Sequence, residues 1–182
     1  MTTGPTPFPP VTALSLVVWA AADAALTRPN NATAYAAHQG IGSGSSCIFK
    51  WSDCFRTNGG TGLLTGLRLE ASVASIAAAN MGAITARLFN TSPSSPPSAD
   101  QQTFNTLVAN SPIELGAVDF ATWSIGGAGS DVIRSYGVSR ISPMQLKAAA
   151  AAKDLYMVLE ATAAFTPAAN AIINAYASAL LD

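Results

Sequence analysis

The chain has 182 residues, 49% apolar and only 10% charged, against the roughly 25% charged share of an ordinary soluble domain. That length suits one domain with its own core, and so little charge implies that neighbours cover much of the surface. Net charge is −1 with the basic residues scattered singly, so the reading excludes nucleic acid and an electrostatic membrane anchor as partners.

Residues 1–25 read as an N-terminal arm and first strand, and 26–182 as one β-sandwich domain. The first ten residues hold Pro5, Pro7, Pro9 and Pro10 around Phe8. Proline fixes φ and removes a donor, so this stretch is extended and joins a ladder only at an edge. Phe8, Pro9 and Pro10 are the residues assigned to assembly. Val11 to Ala22 is too short to span a bilayer as a helix, which takes about 20 residues. It has the length of a secretory h-region, but no Lys or Arg precedes it, and an N-terminal strand is the preferred reading.

From Cys47 the pattern alternates with period two. Cys47, Phe49, Trp51 and Phe55 share one parity, and only Asp53 breaks that face. Leu63, Leu67, Leu69 and Ala71 alternate with Gly66, Arg68 and Glu70. Ile84, Ala86 and Leu88 alternate with Thr85 and Arg87, and Phe120 with Trp123 marks a further strand. Leu155, Met157 and Leu159 alternate with Tyr156, Val158 and Glu160. Clusters at 58–62, 91–98 and 126–130, rich in Gly, Ser and Pro, punctuate these runs, as in an antiparallel sandwich or barrel. Two segments also suit a helix by propensity: the alanine run from Lys147 to Lys153, and Ala171 to Leu181. The β context assigns both to strands.

Cys47 and Cys54 would lie roughly 23 Å apart on one straight strand. A disulfide needs Cα atoms within about 7 Å. Two buried free thiols are expected. The single histidine, His38, has no nucleophile context beside it, and no carboxylate pair, metal-ligand cluster or complete phosphate loop occurs. No catalytic residue, metal or cofactor is assigned, and the chain is read as non-enzymatic. Phe49, Trp51 and Phe55, or Trp123, could form a sugar platform, though packing is the commoner use of such residues.

Arg28-Pro29-Asn30-Asn31-Ala32-Thr33-Ala34-Tyr35-Ala36-Ala37 resembles the "R-P-x-x-T-x-A-Y-x-A" segment of small tailed-bacteriophage virion proteins. Four later stretches resemble that group's landmarks in the same order: Gly62 to Leu69, Arg87 to Pro93, Asp154 to Glu160, and Phe165 to Ala169. The resemblance runs from Arg28 to Leu181. It departs at His38-Gln39, where the group has Gly-Asp, and in the Ser/Pro-rich turn after Pro93.

The resemblance implies a jelly-roll β-sandwich in the virion, assembled in the host cytoplasm. It implies a capsid decoration or head-fibre subunit that contacts the major capsid protein or other virion proteins. It also implies a homo-oligomer, with a trimer favoured. A tail or baseplate subunit, a major coat protein and a carbohydrate-binding module are the alternatives.

Overall fold

A computed structural model describes residues 15–31, 33–73, 82–93, 100–104, 112–121, 124–126, 133–139, 143–166 and 169–181. The first half holds β1 (Ser15–Ala21), β2 (Leu26–Thr27), β3 (Gly40–Ile41), β4 (Ile48–Trp51), β5 (Thr61–Val73) and β6 (Ile84–Phe89). The second half holds β7 (Glu114–Phe120), β8 (Ser124–Gly126), β9 (Ile133–Ser139), β10 (Met144–Lys147), β11 (Leu155–Ala161) and β12 (Ile172–Leu181). No α-helix forms among the described residues, and none there is long and apolar enough to cross a membrane.

All pairings are antiparallel. The large sheet runs β1-β12-β5-β9-β8, with β2 also on β12 and β10 also on β5. The small sheet runs β3-β11-β6-β7, with β4 also on β11. Three strands are therefore interrupted single strands. β1 and β2 follow one another along β12, β3 and β4 along β11, and β9 and β10 along β5. With each pair counted once and short β8 set aside, the sheets read first-eighth-third-sixth and second-seventh-fourth-fifth in chain order. This is the strand order of a jelly roll, one form of the antiparallel β-sandwich that the period-two pattern predicts.

The main core lies between the sheets. Phe49, Trp51 and Phe55 enter it beside Leu67, Leu69, Met157 and Leu159, and the Trp51 indole N–H donates to the Ala20 carbonyl at 3.1 Å. Each such side chain contributes roughly 1.5–3 kcal/mol by leaving water. The strand expected from Cys47 to Phe55 stops at Trp51, and Asp53 at φ 50° turns the chain. Cys47 belongs to a second cluster, with Phe89, Phe104 and Val158, on the outer side of the small sheet. Phe120 is buried in the main core, whereas Trp123, like Phe8, Pro9 and Pro10, lies outside the described residues.

Two local expectations are corrected. In β5 the register against β12 slips between Ser178 and Ala179, which leaves Thr65 as the extra residue of a bulge. A bulge reverses the side-chain alternation beyond it, so Leu64 and not Leu63 joins Leu67, Leu69 and Ala71 in the core. The Thr65 hydroxyl donates to the Ser178 carbonyl at 3.0 Å and so fixes the slip.

The second correction concerns the alanine run, which is a turn and not a strand. β10 ends at Lys147, and Gly59 N–H donates to the Ala149 and Ala152 carbonyls, each at 3.1 Å. Five alanines are too few to nucleate a helix. Here their carbonyls serve a neighbouring glycine turn instead. Ile172 to Leu181 is a strand, as expected, with Ile173, Ala175, Ala177, Ala179 and Leu181 facing the core.

Candidate functional site

The recognisable motif residues lie in polar and aromatic contacts on three parts of the sandwich. The first is a buried clamp built from the Arg28–Tyr35 segment. Arg28 Nε donates to the Tyr35 hydroxyl at 2.6 Å, and Arg28 Nη2 pairs with Asp100 Oδ2 at 2.9 Å. The Tyr35 hydroxyl donates to the other Asp100 oxygen, which also accepts from Gly42 N–H at 3.0 Å. Phe165 packs on Tyr35 with ring centroids 5.0 Å apart, and the two residues form a β-bridge. Burial and then the Asp100 carboxylate push the Tyr35 hydroxyl well above its ordinary pKa, so it acts only as a neutral donor. Arg28 and Tyr35 come from one segment, Asp100 joins them from 72 residues beyond Arg28, and Phe165 closes on Tyr35 from further along the chain.

The second part is a ladder across the outer face of the small sheet. Alternation places Glu160 and Thr85 side by side, with Arg87 two residues along β6. The Glu160 carboxylate is only 4% exposed, and a buried carboxylate needs partners. It has two: Arg87 Nε donates to one oxygen at 2.7 Å, and His38 Nδ1 lies 2.6 Å from the other. Arg87 Nη1 reaches on to Glu114 at 3.0 Å, and its guanidinium lies 5.6 Å from the Phe104 ring centroid. Burial draws the Arg87 pKa down, but its bonds to Glu160 and Glu114 outweigh that and hold it above the ordinary value.

His38 sits in a loop at φ 65° with its imidazole 72% exposed. A carboxylate that orients an imidazole is half of a catalytic arrangement, and a nucleophile is the other half. Among the described residues no Ser, Thr or Cys side chain hydrogen-bonds to the ring. Beside the ladder, Thr85 donates to Asp119 at 2.6 Å on the wall of an open cleft of about 380 Å³.

The third part lies on the outer face of the large sheet. The Arg68 guanidinium lies 4.4 Å from the Tyr176 ring centroid and 5.4 Å from that of Trp19. Arg68 Nη2 pairs with Glu70 at 3.1 Å, and the Tyr176 hydroxyl donates to the same carboxylate at 3.2 Å. Gly66 makes room for this arrangement, since a Cβ there would stand 3.1 Å from the Trp19 ring.

Both cysteines are free, and burial pushes each thiol up to about 12. Among the described residues no group of three or more His, Cys, Asp or Glu side chains could hold a metal ion. The aromatic face of β4, considered as a sugar platform, points into the core.

Sequence reasoning found Arg28, Tyr35, Arg87 and Glu160 as motif positions but missed Asp100 and did not pair either arginine with its carboxylate. One signal was available. In a chain with 10% charged residues, an arginine inside an alternating strand must find an anion.

No family model, curated protein or solved structure matches the chain.

Proposed function

We propose that the chain is a structural virion protein of a tailed bacteriophage, a capsid decoration or head-fibre subunit that works through contact area. One observation carries the reading: the motif residues are spent on internal contacts that stiffen a jelly roll. Arg28 and Tyr35 clamp three separate segments, Gly66 admits an indole, and Phe165 packs on Tyr35. Motifs that hold a shape suit a protein whose product is its surface. Jelly rolls occur in capsid and lectin domains alike, so fold by itself does not select between them. The sparse charge and the proline-rich start favour a subunit whose surface is covered in an assembly.

Physically, such a subunit contributes by repetition. An interface of about 1,600 Å², repeated around a closed lattice, reinforces weaker contacts beneath it without any catalytic group. The test is the copy number of the protein in purified virions of its phage, by quantitative mass spectrometry against the major capsid protein. Tens to hundreds of copies place it on the head lattice, and its absence from virions refutes the proposal.

A further inference from the structure

Solvated sheet faces are polar, whereas the outer face of the large sheet mixes polar residues (Arg68, Glu70, Asn174, Ser178) with large apolar and aromatic ones. Along β12 the outward residues include Ile172, Tyr176 and Leu180, with Leu63 directly opposite Leu180 on β5. Ile172 is 41% exposed. Trp19 belongs to β1, at the sheet edge, yet its indole crosses β12 to rest on Gly66 of β5 and beside Arg68.

Two irregularities permit that reach. β1 carries its own register slip between Val17 and Ala20, and Trp19 within it adopts φ 52°. A bulky side chain in the left-handed region is uncommon and strained, and bulges are places where a side chain is re-aimed. Here the strain aims an indole across the sheet. The resulting platform of Trp19, Arg68 and Tyr176 holds the three residue types most enriched at interface hot spots. Arg68 Nε is buried there without a hydrogen-bond partner.

The chain itself supplies an occupant of matching chemistry. Gly4-Pro5-Thr6-Pro7-Phe8-Pro9-Pro10 is uncharged, and no charged side chain occurs before Asp23. Prolines spaced in this way favour the polyproline II conformation, and aromatic-lined surfaces bind that conformation at low entropic cost. We infer that the Trp19–Arg68–Tyr176 platform receives the proline-rich residues 5–10 of a second copy of this chain. The inference deepens the assembly half of the proposed function and does not depend on the virion half.

A second copy is favoured over the same chain by direction. β1 begins at Ser15 opposite Leu181, whereas Tyr176 is paired with Ala21 at the other end of the strand. To return, the chain would have to reverse within Val11-Thr12-Ala13-Leu14, which holds no Gly, Asn or Asp and includes two β-branched residues. Fully extended, the seven residues Phe8 to Leu14 would span about 23 Å.

The experiment is sedimentation velocity of the full chain over a concentration series. Unmodified protein is compared with an arm variant (Pro7→Ala with Phe8→Ala), a platform variant (Tyr176→Ala) and their combination. Each variant is expected to weaken self-association at least tenfold with its thermal melt retained, and the combination no further than either alone. A synthetic peptide of residues 1–14 should dissociate the unmodified oligomer, a readout that needs no altered fold. Three outcomes overturn the inference: a monomeric unmodified protein, an effect of only one of the two variants, or an oligomer indifferent to the peptide. High copy number in virions together with any of these would remove the platform and leave the virion reading standing.

Discussion

Replacing Asp100 with alanine should be among the most damaging single changes available in this fold. The carboxylate receives Arg28 Nη2, the Tyr35 hydroxyl and Gly42 N–H, and both charged side chains are almost wholly shielded from water. Removing one partner of a buried pair leaves the other charge uncompensated, which costs about 3–5 kcal/mol. For a chain of this length that corresponds to a fall in melting temperature of roughly 6–20 °C. Removing both charges, as Arg28→Met with Asp100→Leu, should cost less than Asp100→Ala alone: the Tyr35 and Gly42 donors lose the carboxylate in either case, at about 1–3 kcal/mol each, but no uncompensated buried ion remains in the double variant. Urea unfolding followed by far-ultraviolet circular dichroism measures all three proteins. An Asp100→Ala midpoint within about 1 kcal/mol of the original, or a double variant worse than the single one, would refute the clamp argument.

Three further predictions concern local features. Gly42→Ala places a Cβ 2.4 Å from the Ser46 carbonyl oxygen, so the backbone must move; urea unfolding should show a loss of about 1–3 kcal/mol or more. Lys50 and a backbone bond from Asp53 hold the Asp154 carboxyl below its ordinary pKa, so its contribution is present above the unfolded value, near 3.9, and lost as pH falls through the folded one. Stability curves of Lys50→Met and unmodified protein should therefore differ at neutral pH and converge below about pH 4, and parallel curves would exclude the pair. With both thiols raised to about 12, Cys47 and Cys54 should resist a thiol reagent at pH 8 until denaturant is added, with Cys54 the faster of the two; immediate labelling of both would contradict the burial.

Much of the sandwich was legible because its strands obey a period of two where one face is buried. In β6 and β11 the residues that the pattern marks, Ile84, Ala86 and Leu88 with Leu155, Met157 and Leu159, do enter the core, while Phe89, Val158 and Glu160 on the other face are buried too. β5 misled at Leu63, since a bulge at Thr65 is a tertiary accommodation to β12 with no strong local signal. The alanine run misled for a related reason: alanine accepts a helix, strand or turn, and the Gly59 turn across the chain decides. Of the polar clusters, sequence could supply the cations but not their pairing with carboxylates. Asp100 follows a Ser/Pro-rich stretch with no periodicity, and lies 72 residues from Arg28.

The position of β12 has a consequence for the order in which the protein can be built. It lies between β1 and β5, with Ser15 paired to Leu181, so the large sheet is complete only when the ribosome has delivered nearly the whole described chain. Until then β5 presents a bare edge of thirteen residues on a half-formed sheet. Such pairings over long sequence separation form slowly, and exposed edges recruit whatever strand comes near. Folding of the nascent chain therefore hinges on its last strand, and a message truncated before Ile172 would yield a sticky fragment, not a smaller jelly roll.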